Sequence, residues 1–90
     1  MFEIIRDEKF LKKAKKFFKK HPEFINKFKD IILKLEQNPF DTSLKTHKLQ
    51  GKLKDFYACS LNYEYRIILS IVIIDKKVFL VDIGTHDEVY

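Results

Sequence analysis

Residues 65–75 constrain the fold of this chain more than any other stretch, because they are apolar at almost every position. They read YRIILSIVIID, in which only Arg66 and Ser70 are polar before the final residue. The β-branched Ile and Val favour a strand over a helix, since their restricted χ1 suits a pleated surface. A strand without a polar face must be covered on both sides. We therefore predict the central strand of a small sheet, with segments 56–61 and 78–83 beside it.

The composition is that of one globular domain spanning residues 1–90. A chain of 90 residues with 46% hydrophobic residues can form a single core and is not expected to be disordered. Cys59 is the only cysteine, which excludes an internal disulfide and a zinc site with several thiolates. The N-terminus does not resemble a signal peptide, and no apolar run is long enough to span a bilayer as a helix. We expect a cytoplasmic protein without a membrane partner.

The first part of the chain predicts a strand followed by two helices. Residues 2–6 form the strand, and Asp7 is a suitable N-cap for the first helix. The break at His21-Pro22 starts a second helix, which ends before Pro39. The short join predicts an antiparallel hairpin. The apolar faces recur at helical spacing and comprise Phe10, Leu11, Ala14, Phe17 and Phe18, then Phe24, Ile25, Phe28, Ile31, Ile32 and Leu35.

The second part of the chain predicts three strands joined by short turns. A polar, basic segment at 47–54 leads into the strand at 56–61, and residues 62–64 turn into the central strand. Residues 75–77 form a tight turn into the last strand, which Gly84 closes. The predicted fold is a two-layer α+β domain: an N-terminal strand, a helical hairpin packed on a small sheet, and a C-terminal three-stranded antiparallel meander.

Charge is distributed unevenly along the chain. The net charge is +5, and the lysines are concentrated in the two helices and in segment 45–54. Such a balance predicts a polyanion or an acidic protein as partner. The first helix carries its lysines on the face opposite its apolar residues. An ordinary solvent-exposed helix face has the same pattern. This basic flank meets a C-terminal part that has few cations and carries Asp55, Glu64, Asp75, Asp82, Asp87 and Glu88.

No metal, nucleotide or nucleophile motif occurs, so any chemistry depends on scattered residues. A meander would bring Arg66, at the start of the central strand, close to His86, just after the neighbouring strand, and Glu64 lies at the same end. An acid–base group and a cation suit phosphodiester cleavage. The plainer interpretation is equally open: His47 and His86 are exposed surface residues, and Arg66 forms an ion pair with Glu64 or Asp82.

Three stretches resemble the RelE/ParE toxin superfamily, and most of all its RelE- and YafQ-like branch. They are HKLQGKLKDFY at 47–57, YRII at 65–68 and IGTHDEVY at 83–90. The helical hairpin ahead of the meander also suits that family, so the resemblance extends over the whole chain. It implies the toxin of a type II toxin–antitoxin system, whose partners are a cognate antitoxin, the ribosome and mRNA. It also implies an endoribonuclease that needs no metal or cofactor, in which a ribose 2′-OH attacks the adjacent phosphate.

The resemblance assigns candidate roles residue by residue. His86 matches the C-terminal acid–base His, and His47 the His that precedes Lys-Leu-x-Gly. Glu64 matches an acidic residue before an aromatic, Arg66 the Arg of a Tyr-Arg pair, and Tyr90 a terminal aromatic that stacks on a base. The lysines expected to contact RNA phosphates are Lys12, Lys13, Lys16, Lys19, Lys20, Lys48, Lys52 and Lys54.

The sequence also departs from the family pattern. Ser60 stands where YafQ-like toxins have a further His, and Ala58 and Ser60 replace lysines of the RelE-like strand. The division of acid and base among the candidates therefore stays open. Two alternative functions remain: a ParE-like toxin that inhibits DNA gyrase without cutting RNA, and a degenerate toxin that only binds its antitoxin.

Overall fold

The computed structural model describes residues 1–90, which form one mixed sheet with helices packed on it. The elements in chain order are β1 (Glu3–Arg6), α1 (Glu8–Lys20), α2 (Ile25–Gln37), β2 (His47–Lys48), β3 (Tyr57–Ser60), β4 (Tyr65–Val72), β5 (Lys77–Thr85) and α3 (His86–Val89). Short 3₁₀ turns at Pro22–Phe24, Thr42–Leu44 and Gly51–Leu53 join some of them. None of the helices has the length and apolar character needed to cross a bilayer.

The sheet has the strand order β1-β5-β4-β3-β2, so β4 is its central strand as predicted. β3, β4 and β5 form the predicted antiparallel meander, and β1 runs parallel to β5 at one edge. The start of the basic segment was predicted only to lead into the sheet. In the structure His47 and Lys48 pair with β3 and add a fifth strand at the other edge.

Hydrophobic clusters cover both faces of the sheet, which confirms the prediction from the unbroken apolar run. Ile67 and Leu69 of β4 face the helices and belong to the larger cluster, which includes Phe10 and Leu35. Ile68 points to the opposite face and packs in a smaller cluster beneath segment 49–56. Fully burying one such side chain contributes about 1.5–3 kcal/mol, so β4 holds both layers together.

Both predicted helices form, although their apolar faces are narrower than expected. Asp7 caps α1, and its Oδ1 accepts a hydrogen bond of 2.7 Å from the Phe10 N–H. Leu11 was predicted to lie in the core, but it is 49% exposed, and Ile25 is also exposed. The helix packs through Phe10 and Ala14, and Leu11 lies about one quarter turn away from Phe10. A broad apolar stripe does not by itself determine which of its edges is buried.

Two details of the sheet differ from the predictions. β4 ends at Val72 rather than near Asp75, and Ile74 is 95% exposed at the tip of the hairpin, beyond the cover of the helices. Gly84 does not end β5, since it pairs with Arg66 and the strand continues to Thr85. A Cβ at Gly84 would lie 3.2 Å from Glu88 Oε1 in α3, so a larger residue there would have to displace the Glu88 side chain slightly.

Candidate active site

The candidate site lies at the end of the sheet where β5 ends and α3 begins. Arg66 on β4 pairs with Gly84 on β5, two residues before His86. The register of the meander therefore brings Arg66 and His86 to the same end of the sheet. Ser60 of β3 is the other neighbour of Arg66, so the guanidinium group begins between two strands rather than at a sheet edge.

The backbone of α3 is held by a capping box between Thr85 and Glu88. The Thr85 hydroxyl accepts a hydrogen bond from the Glu88 N–H at 3.2 Å, and Glu88 Oε1 accepts one from the Thr85 N–H at 2.9 Å. The backbone hydrogen bond from Thr85 lowers the pKa of the Glu88 carboxyl, so the box is intact at neutral pH. Because His86 is the first residue after the cap, this motif sets where its side chain leaves the backbone.

The His86 side chain lies on the surface against two neighbours in its own helix. Its ring packs edge-on against Tyr90, with the two centroids 4.1 Å apart. Its Nδ1 is 3.6 Å from Asp87 Oδ1, so the carboxylate is its nearest acidic neighbour. The side chain of His86 is 65% exposed, so solvent and a large substrate can reach it.

Tyr90 connects α3 to the basic segment that follows β2. It lines a groove of about 310 Å³ together with Leu49, Gln50, Lys52 and Leu53. Burial raises the pKa of the Tyr90 phenol, while the nearby Arg66 charge lowers it. The net shift is upward, so the hydroxyl is protonated at neutral pH and can donate a hydrogen bond.

Arg66 has no carboxylate partner, contrary to the structural ion pair that the sequence left open. Its Nη1 donates hydrogen bonds to the Asn62 carbonyl at 2.7 Å and to the Tyr65 carbonyl at 3.2 Å. Asp82 instead binds Lys13 of α1, with Oδ1 and Nζ 3.2 Å apart. A register shift in the β4–β5 pairing next to Asp82 accompanies this arrangement. The positive charge of Arg66 is therefore half-buried, oriented by carbonyls and not neutralised.

His47 and Glu64 are both exposed; His47 lies apart from His86, whereas Glu64 directly precedes Tyr65, which pairs with Thr85 next to His86. His47 is opposite Ala58 on the edge strand β2, two strand spacings or about 10 Å from β4. Its Nδ1 lies 3.0 Å from the Lys45 carbonyl. Since a carbonyl only accepts, Nδ1 carries the hydrogen, and a neutral His47 presents Nε2 as an acceptor. Glu64 lies in the turn before β4, where its backbone N–H donates to Asn62 Oδ1.

The predicted RNA-binding lysines are all exposed and flank α3 on two sides. Lys13, Lys16 and Lys20 border a groove between α1 and Glu88 of α3. Two of the α1 lysines have acidic neighbours: Lys13 pairs with Asp82, and Lys12 lies 4.0 Å from Glu8. The other predicted RNA-binding lysines are Lys19, in the last turn of α1, and Lys48, Lys52 and Lys54 in the basic segment.

No group of three or more His, Cys, Asp or Glu side chains is placed to hold a metal ion.

Sequence reasoning missed the role of four residues that organise the site. The Thr85 and Glu88 cap was visible as Thr-x-x-Glu, the usual pattern of a capping box. Asn62 organises the turn before β4, since its Oδ1 also accepts from the Tyr65 N–H at 2.7 Å. His21 was assigned only to the helix junction, yet its Nε2 lies 3.4 Å from the Tyr65 hydroxyl and joins that junction to the sheet.

Comparison with protein families gives a match over almost the whole chain. The sequence model for the YafQ toxin family, described as a bacterial toxin of type II toxin–antitoxin systems, matches residues 2–90. The comparison with curated proteins gave no match.

Solved structures of bacterial toxins share the fold. YafQ from Escherichia coli superposes with a TM-score of 0.81 at 23% identity, over 100% of this chain and 99% of that one. YafQ in the E. coli DinJ–YafQ complex gives 0.78 at 23% identity, again over 100% and 99% of the two chains. A metal-bound toxin from Helicobacter pylori gives 0.75 at 28% identity over 100% of both chains. The architecture of this chain is thus that of the YafQ-like toxins.

Proposed function

We propose a function for this chain from the premise that it belongs to the YafQ family of bacterial toxins of type II toxin–antitoxin systems. The reaction proposed is cleavage of mRNA on the ribosome. A ribose 2′-OH attacks the adjacent phosphorus, the new O–P bond replaces the bond to the 5′ oxygen of the next nucleotide, and a cyclic phosphate and a free 5′-OH remain. The step needs a base for the 2′-OH, a cation for the extra phosphate charge and an acid for the leaving oxygen.

The observation that carries the proposal is the uncompensated charge of Arg66 at the same end of the sheet as the exposed imidazole of His86. Arg66 is oriented by two backbone carbonyls and has no carboxylate within 4.0 Å. Its guanidinium group is therefore available to stabilise the negative charge that develops on the phosphate in the transition state. The His86 imidazole is exposed and has Asp87 3.6 Å away as a partner for a proton-bearing ring, so we assign it the role of acid.

The base is assigned to His47, with Glu64 as the second candidate. The hydrogen bond between His47 Nδ1 and the Lys45 carbonyl leaves Nε2 as the free acceptor that a base requires. Both residues are exposed; His47 lies on the edge strand β2, away from His86, whereas Glu64 lies at the same end of the sheet as His86. In this scheme the base and the acid act from opposite sides of the phosphate.

Tyr90 and the lysines supply binding rather than proton transfer. The exposed part of the Tyr90 ring suits stacking on the base next to the scissile phosphate. The lysines of α1 and of segment 48–54 suit contacts with ribosomal and messenger RNA phosphates. The ribosome would present the mRNA in a conformation that these exposed groups can reach.

A cognate antitoxin is the expected protein partner. E. coli YafQ, which shares this fold, has been seen in a complex with DinJ. With a net charge of +5, this chain suits an acidic antitoxin that covers the basic surface. Such a partner and an RNA substrate both belong to the cytoplasm, where we expect the protein to act.

The test is to express the chain in translating cells and to map mRNA 5′ ends. New ends within codons are expected for the wild-type chain, and they should disappear in the matched variants His86→Gln and Arg66→Ala. DNA damage signalling without new mRNA ends would favour a gyrase inhibitor instead. If the chain produces neither signal but still binds its antitoxin, it is a degenerate toxin.

A further inference from the structure

A second groove lies on the other side of Arg66, between α2, the turn at Thr42–Leu44 and the turn that joins β3 to β4. It encloses about 550 Å³, more than the groove beside Tyr90. Its charged lining consists of Lys27, Lys34, Lys45 and Arg66 with a single carboxylate, Asp30. None of the four cations forms a salt bridge with it or with any other carboxylate. The groove is therefore strongly basic.

An exposed aromatic ring stands at the edge of this groove. Tyr63 is 89% exposed and packs against no other aromatic ring, although it lines the same groove as the cations. Fixed cations beside a solvent-exposed aromatic face are the two features that hold unpaired nucleotides: the cations bind phosphates, and the ring stacks on a base. The two features occur together in this groove.

Arg66 makes the groove continuous with the candidate active site. It borders the groove, and in the sheet it pairs with Gly84, two residues before His86. A phosphate bound at Arg66 for cleavage would therefore already lie at the mouth of the groove. The neighbouring nucleotides of the same strand are then the groups best placed to enter it.

The apolar lining of the groove argues against a peptide as occupant. Ile31, Leu44 and Leu61 line it, but all three are buried in the core and leave no apolar pocket for an anchoring side chain. An amphipathic acidic peptide needs such a pocket for affinity, whereas an RNA strand needs only charges and a stacking surface.

We propose that the groove formed by Lys27, Lys34, Lys45 and Tyr63 binds the substrate RNA strand next to the scissile phosphate, with the lysines on its phosphates and Tyr63 stacked on a base. The inference rests on the proposed function and adds to it a subsite on the side of Arg66 away from Tyr90. The helix α2 thereby has a role in RNA recognition, besides the lysines of α1.

The first experiment measures binding of a fluorescein-labelled 12-nucleotide single-stranded RNA to the His86→Gln protein, so that cleavage does not interfere. Tyr63→Ala should weaken binding by about 5- to 100-fold, while Tyr63→Phe, which keeps the ring, should bind like its parent. Lys27→Gln and Lys45→Gln should each lower the log–log salt slope by about 0.7. Lys29→Gln, on the same helix but outside the groove, is the matched control.

Lys34 is left unchanged in this series, because its Nζ also donates to Ser43 Oγ at 2.9 Å and holds the adjacent turn. Tyr63 is 89% exposed, so its replacement should leave the urea midpoint of unfolding unchanged. A loss of RNA affinity in Tyr63→Ala therefore reports on binding and not on folding.

The second experiment distinguishes messenger from ribosomal RNA. Ribosomes are loaded with mRNA that carries 4-thiouridine at single positions in and around the A-site codon, and the protein is crosslinked to them. A crosslink between mRNA and the peptide that contains Tyr63 supports the proposal. Crosslinks from that peptide to ribosomal RNA alone would overturn it.

Two further results would overturn the proposal: unchanged RNA affinity and salt slope in the Tyr63, Lys27 and Lys45 variants, or a loss of antitoxin binding in place of RNA binding. The proposed nuclease function can fail independently of this proposal. If the wild-type chain cleaves no mRNA but Tyr63→Ala still weakens RNA binding, the nuclease function is refuted and RNA binding in the groove is supported.

Discussion

The ring of His86 packs edge-on against the ring of Tyr90, four residues later in the chain, with 4.1 Å between the centroids. The contact is possible because α3 makes one helical turn directly after the strand, which places residues i and i+4 on the same face. Tyr90 is itself anchored beside Leu49 and Lys52. The orientation of the imidazole therefore depends on a segment far from it in sequence.

His86→Gln should abolish most of the nuclease activity without unfolding the protein. Loss of a general acid typically costs about 10²–10⁴ in rate. The side chain is exposed, so the free energy of unfolding should change by less than about 0.5 kcal/mol. Single-turnover cleavage of mRNA on ribosomes measures the rate, and urea unfolding measures stability. A variant that cleaves at nearly the wild-type rate would remove His86 from the mechanism and leave proton transfer to His47 and Glu64.

Replacement of Tyr90 should separate the role of its ring from that of its hydroxyl. Tyr90→Phe keeps the contact with His86 and should retain most of the cleavage rate. Tyr90→Ala removes both the contact and the stacking surface, and should lose about 10-fold or more, because stacking on a base contributes about 1–3 kcal/mol. The pair is compared in single-turnover cleavage. If Tyr90→Phe is as impaired as Tyr90→Ala, the hydroxyl is the active group.

The capping box should control activity through the position of His86. Thr85→Ala removes the acceptor for the Glu88 N–H, and loss of such a cap costs about 0.5–2 kcal/mol of helix stability. The four residues of α3 should then fray and release the His86 ring. Thr85→Ser keeps the hydroxyl and should restore the cleavage rate. Hydrogen exchange of the Tyr90 N–H, which donates to the His86 carbonyl, reports the fraying directly. Unchanged exchange in Thr85→Ala would show that the cap is dispensable.

Stability should fall at high pH because of Cys59. Burial raises the pKa of its thiol to about 12 from 9.0. Above the unfolded pKa the unfolded chain loses the thiol proton while the native protein keeps it, so stability is full below pH 9 and falls as the pH rises towards 12. The loss is about 1.4 kcal/mol per pH unit.

The control for this prediction is Cys59→Ala, which has no thiol to titrate. Urea unfolding of both proteins at pH 7, 9 and 10.5 should show the stability advantage of the wild type shrinking above pH 9. A constant difference across this range would mean that the Cys59 thiol ionises as easily in the native state as in the unfolded chain.

The α1 lysines should dominate the salt dependence of ribosome binding. Each phosphate contact contributes about 0.9 to the log–log salt slope on duplex nucleic acid. A triple Lys→Gln change should weaken binding and flatten the slope. It uses Lys12, Lys16 and Lys19, and avoids Lys13 because of its pairing with Asp82. The matched control with the same loss of charge changes Lys29, Lys76 and Lys77. Equal effects of the two triple changes would mean that only net charge matters.

The sequence by itself determined the local elements of this protein. The apolar run at 65–75 specified a central strand covered on both faces, and the helical spacing around Phe10 and Ala14 specified the first helix. The assignment of Asp7 as the helix cap also followed directly from the sequence. These features depend on side-chain periodicity and on hydrogen bonds between residues close in the chain, so the local sequence contains them.

Only the tertiary structure decided how the charged residues are paired. That Asp82 binds Lys13 and leaves Arg66 free depends on where α1 lies against the bulged middle part of β5. The groove beside Tyr63 depends likewise on the packing of α2 against the turn at Thr42–Leu44 and the β3–β4 turn. Such contacts join segments distant in sequence, and their distances follow from the register and packing of whole elements. No local pattern encodes them, which is why the strands could be predicted and the charge environment of Arg66 could not.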